Sequence, residues 1–210
     1  MAAVSSAKEA ILKRIRQALS NPVPLPFPQS EGVQSVYKPA QDDDAIIFAE
    51  EFTKLQGKFA FCENQIDLQA QLGLLIQQQG WQKIYCNEAS LLPLLRNLSI
   101  EPTNNLPGCD ASITGCEYLV ARTGSIVMSS AQQSGRRSSV YAPIHICIAY
   151  NSQLLFDVKD ALVFLKEKYP ENFPSFITFA TGPSRTADIE KTLVTGVHGP
   201  KEVYCFLVEN

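Results

Sequence analysis

The chain is poor in the residues and patterns that mark the commonest enzyme classes. It has two histidines, one tryptophan and two methionines in 210 residues. None of its six cysteines forms a C-x-x-C pair, and no Cys/His group has zinc-finger spacing, which argues against an iron–sulfur or structural zinc site. A G-x-x-x-x-G-K-[ST] phosphate loop, a G-x-G-x-x-G turn, H-E-x-x-H and G-x-S-x-G are all missing. Nucleotide-hydrolase, dinucleotide-fold, zincin and α/β-hydrolase assignments lose their support. No apolar run reaches the length of a membrane span, and Glu9 interrupts the region where a secretory leader would be apolar. These features predict a cytoplasmic chain with reduced thiols and no membrane span. A net charge of −3 and a pI near 5.5 do not suit nucleic acid, whose partners are usually basic. The N-terminal cluster Lys8, Lys13, Arg14 and Arg16 alternates with Ala10, Ile11, Leu12 and Ile15, as on the solvated face of a helix.

What is present is ordinary globular composition, 45% hydrophobic and 19% charged, enough for one domain with a sizeable core plus an arm. Ile11, Leu12, Ile15 and Leu19 recur at helical spacing between Ser5 and Leu19. Asn21-Pro22 stops that helix, and Pro22, Pro24, Pro26 and Pro28 favour an extended segment. Residues 1–40 are therefore expected to form an arm, and residues 41–210 the main domain.

The domain alternates between strand and helix patterns. Helices are expected over Asp42–Leu55, Asn64–Gln79 (with Gly80 at its C-terminal end), Glu88–Asn97, Asp157–Tyr169 and Arg185–Val194. Strands are expected over Lys58–Cys62, Lys83–Cys86, Ile144–Tyr150, Phe176–Ala180 and Val203–Val208. The run Ile144–Tyr150 (IHICIAY) reads as a strand buried on both faces. Ser112–Ser130 leaves no room for a helix and predicts a β-hairpin with Gly124 in its turn. The fold class is then α/β, a mostly parallel sheet flanked by helices, with a β-hairpin insertion. Cys62, Cys86, Cys147 and Cys205 sit in apolar runs and read as core; Cys109 and Cys116 fall in an expected loop region.

The densest chemical signal is Thr181 to Glu190 (TGPSRTADIE), placed after a strand and at the start of an expected helix. Unpaired N–H groups at a helix N-terminus attract anions. Thr181, Ser184 and Thr186 offer hydroxyls, Arg185 offers a bidentate cation, and Gly182 and Asp188 stand in the same segment. Simple capping by Ser184 or Thr186 is the plainer alternative. His198, between Gly196 and Gly199, places a group that titrates near neutral pH in the loop before the last strand; a tight turn with an exposed histidine would look the same. His145 lies within IHICIAY and reads as a hydrogen-bonded core residue. Glu117 is a candidate acid, base or nucleophile, or else an exposed hairpin carboxylate. The turn Thr123, Gly124 and Ser125 stands with the anion-binding candidates. Arg136 and Arg137, in the polar run SGRRSS, could clamp an anion or solvate a loop of the kind that forms active-site lids.

ITGCEYLVARTGSIVMSS, then GRRSS with a following proline, then TGPSRTADIEKTLVTGVHGPKEVYCFLV together resemble the LUD domain of the lactate utilization protein C family. The resemblance covers roughly residues 42–210, and SRTADIE followed by GVHGP is its most specific part. It implies a sugar-phosphate isomerase/CoA-transferase-like fold and a place beside iron–sulfur subunits that oxidise L-lactate to pyruvate. It implies no cofactor bound by this chain. The family pattern has one arginine before its S-x-x-x-P element, whereas Arg136 and Arg137 both precede it here; the role is open between them, with Arg137 carried among the candidates. Three functions compete: a subunit binding a small anionic metabolite, an isomerase or acyl/CoA-transferase-like enzyme using Glu117 and Arg185, and a non-catalytic assembly subunit docking through its arm.

Overall fold

The computed structural model describes residues 7–20, 43–189 and 192–209, with the backbone alone at 7, 8, 187–189, 192 and 193. The chain divides into two units, residues 1–39 and 40–210. In the first, α1 (Ala7–Leu19) forms where the helical spacing places it, with Ile11, Ile15 and Leu19 exposed. The proline segment lies outside the described residues.

The second unit opens with α2 (Asp44–Lys54), capped by the Asp43 side chain on the amide of Ala45 and burying Phe48 and Phe52 one turn apart. Strand β1 (Lys58–Cys62) leads to α3 (Gln65–Gln79). Asn64 caps its start, Leu68, Leu72 and Ile76 form its buried stripe, and Gly80 ends it at φ 67°. The next helix is shorter than expected. Strand β2 (Ile84–Tyr85) is followed by turns, and α4 covers only Leu92–Asn97, with Pro93 in its first turn. Strand β3 (Ala111–Thr114) precedes a hairpin of β4 (Tyr118–Val120) and β5 (Ser125–Ser129). A single turn of 3₁₀ helix and Gly124 at φ 57° join them. After the short α5 (Ser138–Tyr141) come β6 (Ile144–Tyr150), β7 (Leu154–Leu155), α6 (Val158–Lys168) and β8 (Ile177–Ala180). Strands β9 (Arg185–Ile189), β10 (Thr192–Thr195) and β11 (Glu202–Val208) complete the unit.

Five strands form a wholly parallel sheet in the order β1-β11-β6-β3-β2, flanked by helices as the alternation predicts. Its two central strands are buried on both faces. Ile146, Ile148 and Phe206 pack with α3 and α4, whereas Cys147, Ala149, Cys205 and Leu207 face α2 and a second sheet. That second sheet, β7-β4-β5-β8, extends the expected hairpin on both sides. Its residues alternate with period two: Leu119, Ile126 and Met128 face the parallel sheet, and Val120 and Val127 face Ala161 and Leu165 of α6. No helix among the described residues is long and apolar enough to cross a membrane.

Two expectations are corrected. Phe176–Ala180 does form a strand, but β8 runs antiparallel to β5 in the second sheet rather than joining the parallel one. Cys109 and Cys116 do lie in loops, where they are buried like the other four cysteines. More important, Arg185–Val194 is not a helix. β9 and β10 pair antiparallel, with Thr186 opposite Val194 and Arg185 opposite Thr195. Five of the residues in this hairpin (Thr186, Ile189, Thr192, Val194 and Thr195) are β-branched, and such side chains favour extended backbone. The local helical pattern of ADIEK loses to them.

Candidate functional site

Two loops meet where the parallel sheet faces the second sheet. The first, Thr181–Ser184, leaves β8. Gly182 holds φ at 108°, and a Cβ there would lie 2.6 Å from the Leu55 carbonyl oxygen, so only glycine lets the loop pass the end of α2. The second, 196–200, precedes β11. Ser184 laces the two together: its amide donates to the Pro200 carbonyl at 2.9 Å, and its carbonyl accepts from the Gly196 amide at 2.9 Å. Gly199 approaches so closely that a Cβ would sit 3.0 Å from Cβ of Ser184.

These loops wall a cavity of about 200 Å³, into which Ser139, Thr178 and Ser184 bring hydroxyls and His145 and His198 bring imidazoles. The two histidines are the only ones in the chain. His145 is 1% exposed, and its Nε2 lies 2.8 Å from Oγ1 of Thr114. The Thr114 hydroxyl donates to the Gly115 carbonyl at 2.8 Å, which assigns the ring proton to Nε2 and leaves Nδ1 with a lone pair. Burial pushes its pKa down to about 4, so the ring is neutral near pH 7. His198 is exposed. It also lines an outer groove of about 510 Å³ with Val140, Tyr141, Val197 and Lys201. Val140, His198 and Gly199 belong to both spaces, so the inner cavity opens beside the groove.

Of the site residues expected from sequence, Gly182, Ser184 and His198 come together here. The others do not line this cavity. Glu117 is buried and its carboxylate is occupied: Ser129 Oγ donates at 2.5 Å, Lys168 Nζ at 2.7 Å and Tyr169 Oη at 2.9 Å. Gly124 packs against α2, where a Cβ would meet the Phe52 backbone nitrogen at 2.4 Å. Thr123 and Ser125 hydrogen-bond each other beside it at 2.6 Å. Arg136 bonds the Ser175 hydroxyl and covers the ring of Phe176. Arg137 is exposed at the start of α5. Arg185 is exposed on β9, Thr186 is half-buried, and the Asp188 side chain lies outside the described residues. With no helix after Ser184, an anion site built on a helix dipole has no physical basis there.

Sequence reasoning missed Ser139 and Thr178. Ser139 was visible within the S-x-x-x-P element, whereas nothing in the strand pattern of FITFA marks Thr178. His145 is the buried, hydrogen-bonded residue expected, and it is also part of the cavity wall. Glu88 escaped notice as the first residue of an expected helix. It is 8% exposed, and its buried Oε1 has no hydrogen-bond partner among the described residues. Its Oε2 lies 2.9 Å from where a Cβ on Gly115 would sit.

Fold and site define an α/β protein in which a parallel sheet is covered by a smaller mixed sheet, with a cavity at the seam that carries a few polar side chains in a mostly apolar wall. The sequence profile of the LUD domain matches residues 99–208, just over half of the chain, and the chain belongs to the LUD domain family. All of the cavity lies within the matched residues. The chain is 35% identical over 100 residues to lactate utilization protein C of Bacillus licheniformis, covering 47% of this chain and 42% of that protein. It is 37% identical over 103 residues to the protein of the same name from Halalkalibacterium halodurans, covering 48% and 45%. The matched segment thus spans under half the length of these relatives. Among solved structures, a DUF162 family protein from Deinococcus radiodurans superposes with a TM-score of 0.59 at 18% identity, covering 79% of this chain and 98% of that one. That likeness supports the fold.

Proposed function

We propose that this protein serves a lactate-utilization system in the cytoplasm and that its seam cavity holds a small organic acid of the lactate–pyruvate kind. The observation that carries this is the cavity itself, three hydroxyls and two imidazoles enclosed by the Ser184 and His198 loops within the family-matched segment. Its volume of about 200 Å³ is below the range of roughly 300–1,000 Å³ usual for cofactor-sized ligands, and so favours a compact one. Kinship to proteins named lactate utilization protein C supplies the metabolic setting. Oxidising a hydroxy acid to a keto acid needs an electron acceptor. All six thiols of this chain are buried at spacings unsuited to a cluster, so iron–sulfur subunits are the partners we infer for that role.

An isomerase or acyl-transferase reaction through Glu117 has less support, because three donors of the same chain already occupy that carboxylate. Calorimetry with L-lactate, pyruvate, sugar phosphates and CoA esters tests the proposal. One of the two small acids should bind, and Ser184→Val should weaken it about tenfold, the scale of one hydrogen bond to a charged group, with an unchanged melting temperature. Failure of both acids to bind, or binding indifferent to Ser184→Val, would remove the basis for the assignment.

A further inference from the structure

The inner cavity is lined mostly by apolar surface with a few hydroxyls and imidazoles, and among its lining residues there is no lysine, arginine, aspartate or glutamate. A carboxylate moved from water into such a space loses solvation that hydroxyls restore only in part, and it needs a compensating positive charge nearby. The two imidazoles are the only lining groups able to carry one, and they differ. His145 is shut between the sheets and engaged through Nε2 with Thr114. Its pKa of about 4 keeps it uncharged at the pH where organic acids are anions. His198 stands at the mouth, exposed to water.

We propose, building on the assignment of this cavity to a small organic acid, that His198 in its protonated form is the counter-charge for the bound carboxylate. Ligand and proton then enter the site together. Ser139, Thr178 and Ser184 orient the carboxylate and the substituent on the neighbouring carbon, and His145 offers its unprotonated Nδ1 to a hydroxyl donor.

The other charged groups around His198 are differently placed. Lys201, just before β11, lines the outer groove rather than the inner cavity. Arg137 precedes α5 and Arg185 starts β9, and neither lines either space. On β11, Glu202 is held by Lys58 at 2.6 Å and by the Tyr204 hydroxyl at 2.8 Å. Among the described residues, no carboxylate lines either space to stabilise the imidazolium before ligand arrives. The ligand's own carboxylate is then what favours protonation, which makes the coupling strong.

The sign follows directly. An anion that binds only the imidazolium form loses affinity about tenfold for each pH unit above the imidazole pKa, and its binding takes up close to one proton. Calorimetry with L-lactate between pH 5.5 and 8.5, in buffers of low and high ionisation enthalpy, measures both quantities. The full-length protein should show that slope and that uptake, whereas lactamide, the neutral analogue, should bind without pH dependence. His198→Gln should flatten the lactate profile while melting as the parent does, and Lys201→Gln should keep the slope. Lactate binding with a flat profile and no proton uptake would overturn the role of His198 and leave the cavity assignment standing. A slope that survives His198→Gln but disappears in Lys201→Gln would transfer the role to the groove lysine and overturn the proposal. No binding of lactate at any pH, with pyruvate also failing, would remove the cavity assignment and this inference with it.

Discussion

The imidazole of His145 sits where water does not reach, and its environment sets both its charge and its tautomer. Desolvation lowers its pKa to about 4 from an ordinary value near 6.5. Between those values the unfolded chain binds a proton that the folded chain does not, so stability falls as pH drops from about 7 to 4 and then levels off. A shift of this size corresponds to something on the order of 3 kcal/mol. Urea melts at pH 7 and pH 4.2 should show a smaller acid loss in His145→Asn than in the parent. An equal loss in both proteins would mean that other groups carry the acid sensitivity. The thiols are governed by the same burial: it raises Cys62 to about 11, and hydrogen bonding to Cys147 together with burial holds Cys116 well above the ordinary range. Such thiols are poor nucleophiles, in keeping with core rather than redox roles.

Helix α6 is joined to the second sheet by apolar and polar contacts at once. Ala161 and Leu165 pack on Val120 and Val127, and at the helix C-terminus Lys168 and Tyr169 reach Glu117. Glu117 stands between β3 and β4, where the chain leaves the parallel sheet for the second one. Its carboxylate, 1% exposed, therefore ties the two sheets and α6 together. Glu117→Ala leaves Ser129 and Tyr169 without their acceptor, and should cost about 2–4 kcal/mol in chemical denaturation with ligand affinity unchanged. Lost affinity in a variant that unfolds like the parent would move Glu117 from the frame into the site. The β9–β10 hairpin shows why element type was the hardest feature to read locally. Its ladder is completed at the base by the bond between Ser184 and Gly196, residues twelve apart that only the fold brings together.

At the scale of the whole chain, residues 40–210 form one unit whose sheets and helices close their own cores. Residues 1–39 form the other, and within it α1 leaves Ile11 58% and Leu19 72% exposed. An apolar stripe of that kind is normally covered by something. Deleting residues 1–39 should leave a cooperatively folding domain with the parent's melting temperature and with weakened association, either with itself or with the iron–sulfur partners proposed above. Sizing chromatography and thermal melts measure the two effects separately. A truncated chain that aggregates or melts far earlier would show that the arm belongs to the core.

Much of this protein is determined by its sequence read alone. Short-range chemistry does it: Asn64 and Gly80 bracket α3, the unbroken apolar run of IHICIAY requires a strand covered on both faces, and the glycine of ARTGS turns a hairpin. The GVHGP segment also stood out as a place of close backbone approach, as Gly199 is. Tertiary structure decided what those segments do. β8 could pair with either sheet until β5 took it, and β9 is a strand because β10 lies beside it. Glu117, Gly124 and Arg185 have the composition of site residues but do not line the cavity. Thr178 and His145 carry no local mark of a site, and Ser139 only its place in the S-x-x-x-P element, yet the packing of one sheet on the other brings them to one space. Secondary structure responds to residues a few positions apart, whereas a site is a convergence of distant ones, and that is settled only when the layers close.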